Sequence, residues 1–449
     1  MRRPSILALA ADALLAAAAP AGATPSNGIG VDTTIVSRSV SGGLPNGTSS
    51  HPAISLDARF ARLLAFQSTA TDLVSRPTGG GSNVFFVQRA QPFDDTGSPW
   101  SGGGIELASR GRHGKPANGP STLPAVGGDN KRAPACIAFI SAAGNLVVAD
   151  TNGKADAFAF FPATGRTVRV SVSGKSKQAN GRAGEVVVNG TCTKFAFTDT
   201  ATNLAPGTKR HLKQVYIRDL TARKTTLISV RKGHPANAAA SDVAIASFTG
   251  DVAFASKATN LGANPGCFSQ VYGVGRKLGP LHLLSGVPGN GDSDQPALSQ
   301  SGRGFAFRTR AANLGSPGPA QVVYSRIGVP LRPAGPAATR DQGDPTVANQ
   351  GHYVVFQDGP QVDLWTDVGN QIVLLSRDSR QQPLTLPATD PVTSEATNYA
   401  AFATSDPFAD RDFAGSQPGW NDDPQGTLQR AQTDPRFHQI YLRYFGGSQ

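Results

Sequence analysis

Charge is scarce in this chain, at 16% of residues, and methionine occurs once. No segment carries the 3.6-residue apolar period of an amphipathic helix. Beyond the N-terminus no apolar run approaches the roughly 20 residues that a membrane-spanning helix requires. Three cysteines, scattered and without C-x-x-C spacing, argue against a thiolate zinc site. Neither H-E-x-x-H nor G-x-S-x-G occurs, which removes the helical zinc-protease arrangement and the nucleophile elbow. The S-x-D-x-G-x-T-W turn of sialidase-type propellers is missing as well. Lysine and arginine form no run of five or more, so nothing marks a nucleic-acid-binding segment.

What the chain has in quantity is turn residues. Glycine (51) and proline (33) make up nearly a fifth of the 449 residues, and apolar residues come in short packets between them. That composition fits many short strands joined by frequent turns. The stretch from Ala244 to Ser285 shows the unit: AIAS, GDVAFAS, QVYGVG and LHLLS, separated by Gly, Pro and Asn. Four such strands running back and forth make one propeller blade.

The unit recurs. A strand ending in Phe and a small or polar residue appears at Phe66, Phe139, Phe197, Phe254, Phe307, Phe356 and Phe402, at intervals shrinking from 73 to 46 residues. A turn containing Asp72, Asn145, Asn203, Asn260 or Asn313 follows most copies, and such side chains can bond their own backbone and close a turn. An alternating strand comes next, as in NVFFVQR at 83–89 and QVYIRDL at 214–220. A shorter fourth strand is clearest as RTVRVSV at 166–172, TTLISV at 225–230 and QIVLLS at 371–376. One Phe per unit in the same strand is read as core between blades. The seventh unit ends at QIYLRYF, 439–445, without a fourth strand, while TTIVSRSV at 33–40 stands before the first unit and resembles that missing strand. The expected fold is all-β, a single propeller of seven four-stranded blades with six as the alternative, in which strand 33–40 completes the last blade. Closure of this kind removes exposed strand edges.

The phrases SVSGKSKQANGRAGEVVVNGTCTKFAFTDTATNL and SQSGRGFAFRTRAANL resemble the TolB-like propeller repeats of exported bacterial proteins, distant relatives of WD-type repeats. The likeness covers nearly the whole chain after the N-terminus. The family's Asp-Gly turn before the Phe strand is eroded: Ser301-Gly302-Arg303-Gly304 replaces it in the fifth unit. A separate N-terminal α/β domain, as in TolB itself, has no room here.

Residues 1–23 have the composition of a secretory signal: Arg2 and Arg3, an apolar stretch from Ile6 to Ala19, and Ala21-Gly22-Ala23 as a cleavage site. Residues 24–449 are then the propeller, secreted or periplasmic, with a net charge of +10 once two arginines and one aspartate are removed from +11. A basic surface favours anionic partners. Cys136 and Cys192 stand at corresponding places in adjacent repeats, either paired or free, and Cys267 lies in a connecting loop.

Two insertions interrupt the rhythm, Ala90 to Glu106 and Ala409 to Arg436, containing Trp100 and Trp420. They belong to units that adjoin once the ring closes and are expected on one side of it. The seven histidines show no ligand spacing, and Asp406, Asp410, Asp412, Asp422 and Asp423 depart from the calcium-loop pattern. No catalytic, cofactor-binding or metal-ligating residue is assigned, and no cofactor is expected. The expected function is an exported binding or scaffolding module, using the channel mouth and the two long loops. Its partner would be a protein or an anionic polymer of the cell envelope, with no nucleic acid and no membrane span. The alternatives are a polymer-acting hydrolase or lyase with its site in the channel, or a basic adhesin for cell-wall polymer. Ionisable groups converging in the channel would favour the enzyme.

Overall fold

The computed structural model describes residues 32–444 apart from 58–60, 91–101, 129–134, 209–210, 263, 349–350, 396–397, 407–408 and 411–437. The signal segment, both tryptophans of the insertions, and Asp412, Asp422 and Asp423 lie outside the described residues. Seven four-stranded antiparallel sheets are arranged as the blades of a propeller. Blade 4 is typical: Ala240–Ile245, Val252–Ser256, Gln270–Gly275 and Gly279–Leu283, hydrogen-bonded in that order. The first strands of the blades touch one another in sequence around a ring, blade 7 meeting blade 1, and so line the central channel.

The core is seven layers rather than one centre. Each apolar cluster joins two neighbouring blades, and each repeated Phe faces the blade before it: Phe66 toward blade 7, Phe139 toward blade 1, Phe197 toward blade 2. All seven are fully buried. Five of them stack on an aromatic directly across the ladder, such as Phe254 on Tyr272 with centroids 5.7 Å apart and Phe66 on Phe85 at 5.9 Å. In blade 6 the facing residue is instead Asp363.

Several boundaries differ from the sequence reading. The strand beside Gln439–Tyr444 is Asp32–Ile35, with Thr33 opposite Arg443, and stops well short of Val40. The other fourth strands also end early, at Arg169, Leu227 and Leu374. The reason is a serine that follows each. Ser37, Ser109, Ser171, Ser229 and Ser376 each accept a hydrogen bond from the N–H at or near the start of the third strand, at 2.9–3.1 Å. The side chain takes over from the ladder, and the backbone turns away toward the next blade.

The asparagine turns reach further than their own backbone. Asn203 Oδ1 accepts from the Asn180 N–H at 3.0 Å, and Asn180 Oδ1 accepts in return from the Thr202 N–H at 2.8 Å. Asn237 with Asn260, and Asn46 with Asp72, repeat the exchange. These residues tie the loop entering a blade to the turn after its second strand.

Most of both insertions, 91–101 and 411–437, lies outside the described residues, but the strands that flank them are described. The first lies between the third and fourth strands of blade 1, Asn83–Arg89 and Gly102–Leu107, and its end at 102–106 is itself that fourth strand. The second lies between the second and third strands of blade 7, Tyr399–Thr404 and Gln439–Tyr444. In an antiparallel meander these two connections leave from opposite ends of the sheet, hence from opposite faces of the ring.

Candidate functional site

The channel wall is built from seven strands that each break their own ladder. Every first strand carries a register shift, for example between Ser50 and Ala53 and between Asp294 and Ala297. At the shift stand His51, Leu123, Glu185, Asp242, Gln295, Asp344 and Asp390, and six of these seven have φ between 46° and 53°. Proline follows in five blades, as Pro52, Pro124, Pro296, Pro345 and Pro391. A bulge suits it, because no ladder hydrogen bond is asked of that residue.

The side chains at the bulges fasten each blade to the next. Glu185 of blade 3 accepts from the Val243 N–H of blade 4 at 3.0 Å. Gln295 of blade 5 accepts from the Asp344 N–H at 2.9 Å and donates to the Asp344 carboxylate at 2.7 Å. Asp390 of blade 7 accepts from the His51 N–H at 3.1 Å and lies 3.8 Å from the His51 ring. In blade 2, where Leu123 has no acceptor to offer, its N–H is taken by Gln67 of blade 1 at 2.9 Å. Arg308 grips Asp294 with two hydrogen bonds of 2.7 Å.

This end of the channel is therefore acidic in a basic protein. Burial raises the carboxyl pKa of Asp242, and the charge of Asp294 adds to it. Burial likewise raises Asp344, reinforced by Asp390, and raises Glu185 against the opposing Val243 hydrogen bond. At the other end the inner turns of neighbouring blades are tied to one another. The Gly128 N–H donates to the Gly190 carbonyl at 2.8 Å, that of Gly190 to Ser247 at 3.1 Å, and that of Phe248 to Gln300 at 2.8 Å. The Gln300 side chain then reaches Leu56 of blade 1 at 2.6 Å, across the ring from blade 5.

Asp406 and Asp410 each accept from separate backbone donors, Asp406 from the N–H groups of Thr385 and Leu386, and Asp410 from that of Ile35. Among the described residues no three of His, Cys, Asp and Glu come together as metal ligands. Cys136 and Cys192 form a disulfide between blades 2 and 3, and Cys267 is exposed and free. The sequence reading gave no role to any of the bulge residues, His51 included. The recurring X-Pro pair in H-P-A-I, Q-P-A-L and D-P-T-V is the signal that marks its position.

These features define the class: an all-β, seven-bladed propeller with carboxylates gathered at one end of its channel. No family model and no curated protein matches the chain. Among solved structures it is similar to an oligogalacturonate lyase from Vibrio parahaemolyticus, at 10% identity over 93% of this chain and 97% of that one, TM-score 0.50. A second oligogalacturonate lyase, solved in complex with manganese, matches at 10% identity over 93% and 96% of the two chains, TM-score 0.52. TolB from Acinetobacter baumannii matches at 16% identity over 74% and 64%, TM-score 0.37. At such identities the likeness is one of fold.

Proposed function

We propose that this chain is an exported β-propeller that binds its partner without transforming it, the partner being a protein or an anionic polymer of the cell envelope. The observation that carries this reading is the state of the channel. Ionisable groups do converge there, yet Glu185, Asp242, Asp294, Asp344, Asp390 and His51 are all engaged by backbone N–H groups or side chains, most of them on the neighbouring blade. They act as fasteners. Export is supported by the signal-like N-terminus and by the Cys136–Cys192 disulfide, a bond that persists in oxidising compartments.

The test is retention of the protein on fractionated envelope across a salt titration. Binding to a polymer fraction that disappears by about 0.5 M salt, where charge screening is short-ranged, supports the adhesin form of the reading. Binding to a protein fraction that survives salt supports a specific partner. No retention on any fraction overturns the proposal.

A channel lyase is the second reading, favoured by the raised carboxyl pKa values of Glu185, Asp242 and Asp344, the direction that general acid catalysis requires. Against it, an acidic channel repels a polyuronate substrate. Formation of unsaturated uronide product from polygalacturonate, followed by ultraviolet absorbance and lost in Asp242→Asn, would establish that reading.

A further inference from the structure

Three blades follow the fourth strand with Ser-Arg: Ser37-Arg38, Ser109-Arg110 and Ser376-Arg377. The three arginines start from equivalent backbone and end differently. Arg377 donates to the carbonyls of Leu374 at 3.2 Å and Gln381 at 2.7 Å. Arg38 donates to the Ile35 carbonyl and pairs with Asp410, both at 3.3 Å. Arg110 makes neither kind of bond among the described residues. Its Nε is buried without an acceptor, and its guanidinium lies 4.4 Å over the face of Phe160 in blade 2.

Arg76 stands beside it, exposed and with no ion pair among the described residues. Burial lowers the Arg110 pKa, the charge of Arg76 lowers it further, and exposed Glu106 offsets part of this. Both arginines line two adjoining clefts: one of about 660 Å³ between blades 7 and 1, whose wall also holds Arg38 and Glu106, and one of about 440 Å³ between blades 1 and 2. Arg112 and His113 add to the second cleft. Gly165, also lining it, presents no side chain, and a Cβ there would stand 3.8 Å from Arg110 Nη2. At the equivalent places in the two other blades, Arg38 and Arg377 are held by carbonyls or a carboxylate. Here two like charges adjoin an open groove with a guanidinium pre-oriented on an aromatic ring, the arrangement that bidentate capture of an oxyanion uses.

We propose that the rim groove of blades 1 and 2 is an anion-binding site, in which Arg76 and Arg110 hold carboxylate or phosphate groups of a polymer. The inference rests on the reading of the protein as a binding module and names the surface and ligand chemistry. The acidic channel mouth is thereby left out of anion binding.

The experiment measures binding of fluorescently labelled polygalacturonate and of poly(glycerol phosphate) to the full-length secreted protein at low salt. The pair variant Arg76→Gln/Arg110→Gln is compared with a charge-matched control, Lys224→Gln/Lys277→Gln, two exposed lysines outside the groove. The expected result is at least a tenfold loss for the pair and less than twofold for the control, on whichever polymer binds; the polymer preferred distinguishes carboxylate from phosphate as the source. Arg76→Gln alone disturbs no hydrogen bond among the described residues, and its expected loss of about threefold guards against a folding defect in the pair. Equal losses in pair and control, or no polymer binding by the unaltered protein, overturn the site. Envelope-protein retention that persists in that case leaves the binding-module reading standing.

Discussion

Asp199 closes the second strand of blade 3 where other blades carry Ser68, Ser141, Ser256 or Thr309. All five residues accept a hydrogen bond from the N–H two positions on, at 2.7–3.1 Å. A hydroxyl does this without charge, whereas Asp199 is fully buried, its Oδ2 has no hydrogen-bond partner, and burial with help from Asp156 pushes its pKa up to about 7. Because the folded pKa lies above the unfolded one, the folded protein holds more protons between about pH 4 and 7. Stability is then greatest below this window and declines as pH rises through it. Asp199→Ser keeps the cap and removes the acid. It should raise the midpoint of thermal unfolding at pH 8 and change it little at pH 4, with a gain on the order of 1–3 kcal/mol, the usual penalty for an unsatisfied buried polar group. Equal effects at both pH values would contradict this account. No sequence pattern distinguished Asp199 from the serines, since burial comes from the packing of blade 2 on blade 3.

At the level of strands, the second and third of each blade were legible because alternation and the repeated Phe survive in every copy. Phe254, stacked on Tyr272 between blades 3 and 4, should cost about 3–5 kcal/mol when replaced by alanine, read as a shift in denaturant midpoint. The first strands were not legible as a set. Their bulges put a left-handed residue and often a proline where alternation should continue, so the pattern breaks at the very residues that line the channel. Fourth strands were read too long for a related reason: ISV and LLS look like strand, but the serine caps the third strand and ends the ladder. The long loops were expected together because their units adjoin; their tips lie outside the described residues, and their roots are a third-to-fourth and a second-to-third connection. Cysteine pairing was left open by spacing and is closed by the inter-blade geometry. In the chain-entropy view, a bridge over a separation of 56 residues contributes about 4 kcal/mol. Cys136→Ser/Cys192→Ser should lower stability by an amount of that order, measured by urea unfolding without reductant.

For the whole molecule, basic charge and acidic channel are separate facts. The sequence showed the net charge of +11 but not its distribution, because the carboxylates of the channel come from five blades and meet through closure of the ring. The fold divides them: carboxylates hold blades together inside, while Arg76 and Arg110 remain available outside. The most direct measurement of that division is retention on the anionic polymer fraction of the envelope for three proteins side by side. These are the unaltered chain, the rim variant Arg76→Gln/Arg110→Gln, and the channel variant Glu185→Gln/Asp242→Asn/Asp344→Asn. The account predicts that the rim variant is released at markedly lower salt while the channel variant, so long as it is folded, is retained like the unaltered protein. Loss of retention in the channel variant with the rim variant unaffected would contradict it.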